Sequence, residues 1–235
     1  MTLLFALIGL STTPDPAAAL DLFRQGVEAR NDAVRAQLLF RRAAEATDSP
    51  LLRGRAYFLA GDLPRSVAAF HAGLCLSPAD RELQTGLILA RAVITYPPGT
   101  APEPLGELRH RVTPWHLLPA GVACAGLVAA GLARRRFWVA AVGGAGWGLL
   151  AGVTLDIERE RIADRRDPVR VLGRAAVPRG GNADAFPPRL AAPLPAGAEV
   201  RVRLDRGGWV QVTWPGGGVG WVPADALLPG PAGGG

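Results

Sequence analysis

Lysine is absent from this 235-residue sequence, so every one of its 26 basic residues is an arginine. With 20 acidic residues, the formal net charge is +6. An arginine-only basic set, together with 30 glycines and 21 prolines, indicates a compositional bias of the whole chain rather than a basic binding patch. The arginines are scattered among Asp and Glu, whereas a nucleic-acid interface needs them clustered on one face with interleaved aromatic residues. We therefore expect no nucleic-acid partner.

Cysteine and histidine are also scarce. Cys75 falls in a predicted soluble helix and Cys124 in an apolar segment, so the two cysteines predict no disulfide framework. The three histidines, His71, His110 and His116, have no metal-ligand spacing to one another or to a cysteine. No nucleophile, phosphate-binding or dinucleotide-binding motif is present. The sequence therefore predicts a protein that is not an enzyme, with no catalytic residues, no metal site and no cofactor.

Two long segments in the middle of the chain lack charged residues of either sign, and the predicted soluble parts lie before and after them. Residues 115–133 and 137–155 contain no Asp, Glu, Lys or Arg, and only three arginines, residues 134–136, separate them. A helix of either length covers roughly 28 Å, close to the ~30 Å hydrocarbon core of a bilayer. A soluble helix this long normally has a polar face, and neither segment has one. We predict two transmembrane helices joined by an arginine turn; the alternative is a buried hairpin in a soluble protein.

Glycines are frequent in both predicted spans: Gly126 and Gly131 in the first, and Gly143, Gly144, Gly146 and Gly148 in the second. Smooth faces of this kind let helices approach closely. They predict a tight hairpin or self-association, with membrane lipid around it.

The N-terminus carries a short apolar run, LLFALIGL, followed by two prolines and then by Ala17, Ala18 and Ala19. This order is typical of a secretory signal, although no basic residue precedes the run. We predict a signal peptide over residues 1–19. An uncleaved anchor and the first turn of a soluble helix are the alternatives.

Residues 20–95 have apolar and small residues at helical spacing, with breaks at residues 31–32, 48–50, 61–62 and 77–78. The pattern predicts five short helices paired as antiparallel hairpins. It also contains an internal repeat, in which Phe40 matches Phe70, Ala43 matches Gly73, and Val27 matches Tyr57.

Residues 54–80 resemble a tetratricopeptide repeat. The small and aromatic positions of that pattern are supplied by Gly54, Tyr57, Ser66, Phe70 and Gly73, and the closing proline by Pro78. Two features depart from it: Arg53 stands where leucine is usual, and the two units are 30 residues apart rather than about 34. The resemblance implies a concave groove for a partner segment, for which Arg53, Arg55 and Tyr57 are the candidate binding residues. A generic helical bundle is the alternative.

Two connecting segments flank the predicted spans. Residues 96–114 are proline-rich at their start and predict a semi-stiff linker. Residues 156–167 alternate in charge and predict a solvated helical stalk.

Residues 168–228 change to alternating patterns broken by glycine turns, which predict a small closed β-barrel. In residues 199–204, for example, Val200, Val202 and Leu204 are expected on one face. The segments RGGWVQV and GWVPADAL resemble parts of a bacterial SH3 domain. This resemblance implies an aromatic ligand groove, for which the candidates are Trp209, Trp214, Trp221 and Pro223. We expect Trp221 to be at least half buried and Trp214 to be the main ligand contact. Residues 229–235 predict a disordered tail.

The order of repeats, paired spans and SH3-like barrel resembles the BatE-type proteins of the aerotolerance operon. The predicted fold class is therefore multi-domain α + β. The resemblance implies a non-catalytic scaffold in the bacterial inner membrane, with other membrane or envelope proteins as partners. Peptidoglycan as the ligand, and an accessory role in a membrane enzyme complex, are the alternatives.

A helical hairpin would place both soluble parts on one side of the membrane. The arginine turn favours a cytoplasmic loop, but the arginines flanking the two spans outnumber it. The signal-like N-terminus and the SH3-like resemblance favour an extracytoplasmic position for both parts, which is our prediction.

Overall fold

The computed structural model describes residues 15–102, 114–166 and 169–229, with the side chains of residues 114–118 and 156–166 left out. Within these ranges the chain is an α+β protein of two compact units. The first unit holds the five N-terminal helices, and the second holds two further helices and a β-sheet. Most of the predicted signal peptide, part of the predicted linker and nearly all of the predicted tail lie outside the described residues.

The elements run in the following order. The described helices are α1 (Pro16–Glu28), α2 (Ala33–Glu45), α3 (Pro50–Leu59), α4 (Leu63–Leu76), α5 (Arg81–Val93), α6 (Pro114–Ala133) and α7 (Phe137–Arg166). The described strands are β1 (Val169–Val171), β2 (Glu199–Arg206), β3 (Trp209–Thr213) and β4 (Val219–Pro223). Short 3-10 turns cover Ala29–Asn31 and Ala224–Ala226.

Local sequence sets where the first helices begin. The carboxylate of Asp15 accepts the N–H of Ala17 at 2.9 Å before α1, and that of Asp32 accepts the N–H of Arg35 at 3.1 Å before α2. The hydroxyl of Ser49 accepts the N–H of Leu52 at 3.4 Å before α3. Each side chain satisfies a backbone donor that the first turn leaves free. The predicted breaks between the helices are confirmed at all four places.

Ala17, Ala18 and Ala19 lie in the first turn of α1, and Ala19 is fully buried. Processing after Ala19 would remove the Asp15 cap together with this buried residue.

In the two helix pairs α1–α2 and α3–α4, a glycine of the first helix packs against a phenylalanine of the second. A Cβ added to Gly26 would lie 2.8 Å from Cε1 of Phe40, and one added to Gly54 would lie 2.5 Å from Cε1 of Phe70. The predicted match of Phe40 with Phe70 is confirmed by this equivalence. The predicted match of Val27 with Tyr57 is wrong, because Gly26 is the structural counterpart of Gly54 and Val27 is exposed.

Helices α6 and α7 form an antiparallel hairpin, here called the apolar hairpin. A Cβ on Gly131 would lie 2.5 Å from the backbone N of Ala140, and one on Gly143 would lie 2.8 Å from the carbonyl O of Cys124. The indole Nε1 of Trp147 donates to the carbonyl of Gly121 at 3.2 Å. Three glycines, Gly144, Gly148 and Gly152, follow one another at four-residue spacing on the outer side, where an added Cβ would meet nothing within 4 Å.

The outside of the apolar hairpin is apolar and exposed. Only 6% of Phe137–Leu155 is buried, and this segment is the one described helix that is long and apolar enough to cross a membrane. The described apolar part of α6, Pro119–Ala133, is shorter. Between the helices, Arg135 has a φ of 52°, and the N–H of Arg136 donates to the carbonyl of Gly131 at 2.8 Å. On the far side, the backbone of α7 continues without a break to Arg166, so the predicted stalk is the end of this helix.

The four strands form an open antiparallel sheet in sequential order. Its inner face carries a core of ten buried residues: Leu172, Ala176, Leu194, Ala198, Val200, Val210, Val212, Trp214, Val222 and Ala226. A bridge between Leu172 and Leu227 joins the chain after β1 to the chain after β4. We call residues 169–229 the sheet unit.

The predicted alternation holds in β3 but fails in β2. The pairing of β2 with β3 shifts between Val202 and Leu204, which indicates a β-bulge. A bulge inserts one extra residue and so reverses which face the following side chains occupy. Leu204 is therefore exposed, and the expectation that it shares the buried face of Val200 is wrong.

The start of the predicted linker is folded onto the sheet unit. Tyr96 packs against the core of the sheet, and Thr100 is only 2% exposed. Residues 96–100, YPPGT, are here called the YPPGT turn. The sequence predicted a semi-stiff linker here and did not predict this packing.

Candidate binding surfaces

The unit of the five N-terminal helices, here called the helical unit, contains a groove of about 380 Å³ that is lined by four of its helices. Residues of α3 and α5 supply most of the lining, with one residue each from α1 and α4. The lining residues are Phe23, Arg55, Phe58, Leu59, Phe70, Arg81, Glu82, Thr85, Gly86 and Leu89. The groove is therefore mainly apolar, with two arginines and one glutamate among its polar groups.

The charges of the groove are not balanced. The guanidinium of Arg55 lies 3.0 Å from the carboxylate of Glu82, so α3 and α5 share an ion pair across the groove. The guanidinium of Arg81 has no hydrogen-bond or ion-pair partner in the part of the chain that the structure describes. The groove thus combines apolar side chains with one uncompensated positive charge.

Of the three predicted groove residues, only Arg55 lines this groove. Arg53 instead reaches back to the end of α2. Its Nε donates to the carbonyl of Ala44 at 3.3 Å, and its Nη2 donates to the carbonyl of Thr47 and lies 3.2 Å from the carboxylate of Asp48. The bond to Ala44 satisfies a carbonyl that the end of α2 leaves without an intrahelical partner, and the other two hold the turn that follows the helix. The interpretation of Arg53 as a groove residue is therefore wrong.

Tyr57 also lies away from the groove. Its ring packs near Ala43, Ala44 and Ala56, and the guanidinium of Arg65 lies 5.8 Å from the ring centroid. Burial raises the pKa of the Tyr57 hydroxyl above its usual value of 10.0, and the positive charge of Arg65 opposes this change. The structure therefore gives Tyr57 a packing role between α2, α3 and α4.

The groove residues that the sequence interpretation missed share a face with Arg55. Successive helix residues are rotated by about 100°, so Arg55, Phe58 and Leu59 lie on one side of α3, and Arg53 and Tyr57 lie on the other. This spacing was visible in the sequence. The contributions of Phe23 and Leu89 come from other helices and follow only from how the helices pack.

In the sheet unit, three of the four predicted groove residues lie together. Trp209 pairs with Pro223 and Gln211 pairs with Trp221, so Trp209, Trp221 and Pro223 share the outer face of β3 and β4. All three are partly exposed. Trp221 is at least half buried, as predicted. Diagonal neighbours on one face of an antiparallel pair lie within reach of aromatic side chains.

Trp214 lies on the opposite side. Its side chain is 7% exposed and belongs to the core, and its ring covers Gly218 and Gly220. A side chain with so little surface cannot be the main contact of an external ligand. The prediction for Trp214 is therefore wrong, and we call the surface of Trp209, Trp221 and Pro223 the outer tryptophan face.

Arg179 connects the outer tryptophan face to the long loop after β1. Its backbone exchanges hydrogen bonds with Trp221, with N–H to O distances of 2.8 and 2.9 Å. Its guanidinium donates to the carbonyl of Phe186 at 3.0 Å and lies 3.3 Å from the carboxylate of Asp184. The loop is thereby held beside the edge of β4.

No cluster of three or more His, Cys, Asp or Glu side chains that could hold a metal ion occurs among the described residues. Comparisons with family models, with curated proteins and with solved structures found no match.

Proposed function

We propose that this protein is a non-catalytic scaffold of the bacterial envelope, anchored in the inner membrane by α6 and α7, that binds a protein partner through the groove of its helical unit. The observation that carries the proposal is the groove itself, which joins an apolar lining to the uncompensated charge of Arg81. The resemblance to BatE-type proteins, with repeats before and an SH3-like part after a pair of spans, implies the same role.

The groove supports binding of an extended segment. Its walls come mainly from α3 and α5, with Phe23 of α1, and α1, α3 and α5 alternate with α2 and α4 along the chain as the first helices do in a stack of tetratricopeptide-like repeats. Phe23, Phe58 and Leu89 offer apolar contacts, and Arg81 favours a nearby carboxylate. The partner that fits is a protein segment with a large apolar side chain and an acidic group close to it.

The membrane anchor is supported by the surface of the apolar hairpin. Its large apolar side chains are exposed along both helices, among them Val122, Leu127, Trp138, Leu149 and Val153. In water, so large an exposed apolar surface promotes association. Hydrocarbon covers such a surface without cost.

The YPPGT turn supports a hairpin that crosses the bilayer twice. Tyr96 precedes α6 in the chain and packs on the sheet unit, which follows α7. If α7 alone crossed the bilayer, Tyr96 and the sheet would lie on opposite sides and could not touch. The contact therefore favours two crossings, with both ends of the hairpin on one side of the membrane.

The groove can be tested with two adjacent residues of α5. Leu89 lines the groove and is 54% exposed, whereas Ile88 is 45% exposed and does not line it. Both variants, Leu89→Glu and Ile88→Glu, place a charge on an exposed position of the same helix. We expect partners that co-purify with the wild-type protein from detergent to be lost in Leu89→Glu and retained in Ile88→Glu. Equal retention in both variants would contradict binding through the groove.

The outer tryptophan face favours a second candidate function, the binding of peptidoglycan. Trp209 and Trp221 present partly exposed rings beside Pro223 on one flat face, and aromatic rings of this kind bind sugars and peptides at low entropic cost. Sedimentation of the full protein with purified cell wall tests it. We expect Trp209→Ala to lower the bound fraction and Leu204→Ala, at an exposed site of β2, to leave it unchanged.

A further inference from the structure

We propose that the sheet unit carries a docking surface for a proline-containing turn at its β3–β4 loop, residues 214–218, and that the YPPGT turn of this chain occupies it. The two segments are far apart in sequence: the turn precedes the apolar hairpin along the chain, and the loop follows it.

The contact is made by backbone as well as by side chains. Tyr96 packs against the core that contains Trp214. A Cβ on Gly216 would collide with the carbonyl O of Gly99, so the backbone of the turn approaches the loop at a distance that only a glycine at position 216 allows. Thr100, at the end of the turn, is almost entirely buried.

The YPPGT turn is closed by its own hydrogen bonds. In the turn, the N–H and the hydroxyl of Thr100 both donate to the carbonyl of Pro97, at 3.1 and 2.8 Å, and Gly99 has a φ of 76°. Proline fixes its own φ, so little backbone freedom is lost on docking.

The loop is closed by two hydrogen bonds. The N–H of Trp214 donates to the carbonyl of Gly218, and the N–H of Gly217 donates to the carbonyl of Trp214, both at 3.1 Å. The ring of Trp214 forms the floor under Gly218 and Gly220. A loop that is closed by its own hydrogen bonds loses little backbone freedom on docking.

The docked turn attaches the chain that precedes α6 to the sheet unit that follows α7. Any other proline-containing segment that uses this surface must first displace the YPPGT turn. Displacement would release the chain before α6 from the sheet unit after α7, and so would change the constraint at both ends of the hairpin.

Hydrogen exchange on the full protein in detergent micelles tests the proposal. We compare Tyr96→Ala with Pro98→Ala, since Pro98 is exposed within the same turn. In Tyr96→Ala we expect amides of both residues 94–102 and residues 212–220 to exchange faster by roughly tenfold or more, because local opening becomes easier. We expect no change at residues 212–220 in Pro98→Ala. Unchanged exchange at residues 212–220 in Tyr96→Ala would overturn the proposal.

Two neighbouring glycines provide the reciprocal test. Gly216 and Gly217 both have positive φ, 92° and 81°, so alanine strains the backbone at both sites. Only Gly216 faces the carbonyl of Gly99; a Cβ on Gly217 meets nothing within 4 Å. We expect Gly216→Ala, and not Gly217→Ala, to speed exchange in residues 94–102. Equal effects of the two variants on those residues would contradict docking at this loop, and the Tyr96→Ala comparison remains decisive if either variant disturbs the sheet.

Discussion

The ring of Phe70 lies against the backbone of Gly54 so closely that a Cβ on that glycine would be 2.5 Å from Cε1 of the ring. Gly86 of α5 approaches the same ring atom from another helix at the same distance. Phe70 is 1% exposed and therefore has no free space into which it can turn. One aromatic ring thus fixes the packing of α3, α4 and α5, the helices that supply most of the groove.

Gly54→Ala should destabilise the helical unit. Overpacking a filled core costs roughly 1–3 kcal/mol, and the higher helix propensity of alanine offsets only about 1 kcal/mol of this. We expect a net loss of up to about 2 kcal/mol in the free energy of unfolding, measured by denaturant titration. In a Phe70→Leu background the cost of Gly54→Ala should be smaller, because the clashing ring is gone; an equal cost in both backgrounds would show that the two residues are not coupled.

Arg53 and Arg55 should separate stability from binding. Arg53→Met removes hydrogen bonds to the end of α2, and we expect it to lower the free energy of unfolding by roughly 1–3 kcal/mol while partner capture is retained. Arg55→Met removes an exposed ion pair with Glu82, which is worth roughly 0–1 kcal/mol. Arg55→Met should therefore fold normally and capture less partner. If Arg53→Met instead captured less partner and Arg55→Met retained it, Arg53 and not Arg55 would be the binding residue.

The stability of the helical unit should fall at high pH because of Tyr57. Its pKa in the folded state is raised above 10.0, so above about pH 10 the unfolded chain loses the hydroxyl proton while the folded chain keeps it. The unfolded state then binds fewer protons, and stability decreases as pH rises. Below about pH 10 the hydroxyl is protonated in both states, so Tyr57 adds nothing to the pH dependence of stability. Tyr57→Phe should show a smaller decrease between pH 10 and pH 11 in thermal unfolding. Identical slopes in both proteins would contradict the raised pKa.

Two adjacent glycines of α7 should differ in their effect on the apolar hairpin. A Cβ on Gly143 meets the carbonyl of Cys124 and the side chain of Val128, whereas one on Gly144 meets nothing within 4 Å. Gly143→Leu should separate α6 from α7 and speed the maleimide labelling of Cys124 in micelles. Gly144→Leu should not change it. The measurement uses a Cys75→Ala background, because the thiol of Cys75 is exposed.

Reporter fusions should locate both ends of the hairpin on one side of the membrane. Alkaline phosphatase joined after residue 102 and after residue 229 should be active in both fusions if both parts are extracytoplasmic. Activity in only one of them would indicate a single crossing and would conflict with the contact of Tyr96 with the sheet unit. Inactivity in two well-expressed fusions would reverse the predicted side.

The sequence predicted most of what is set locally. Helix ends followed from capping side chains and prolines, and β3 followed from alternation, because both depend on neighbours within a few residues. The same alternation, extended by one residue, places Trp214 on the inner face with Val210 and Val212; its burial was therefore predictable.

The remaining features depend on contacts between distant residues. The bulge in β2 leaves no mark in the sequence pattern, so Leu204 was assigned to the wrong face. Arg53 was chosen from its position in a repeat pattern, which does not show that it caps the end of α2. Docking of the YPPGT turn joins segments on either side of the apolar hairpin, and no spacing rule connects them.

The unbroken backbone of α7 sets the distance between the end of its apolar part, Leu155, and the start of the sheet. The helix continues for eleven residues past Leu155, which at about 1.5 Å per residue makes a rod of roughly 16 Å before Arg166. Only three residues further on, β1 begins. If the apolar part of α7 fills the hydrocarbon, the sheet stands beyond the lipid headgroups, so whatever it recognises has to extend at least that far from the bilayer surface.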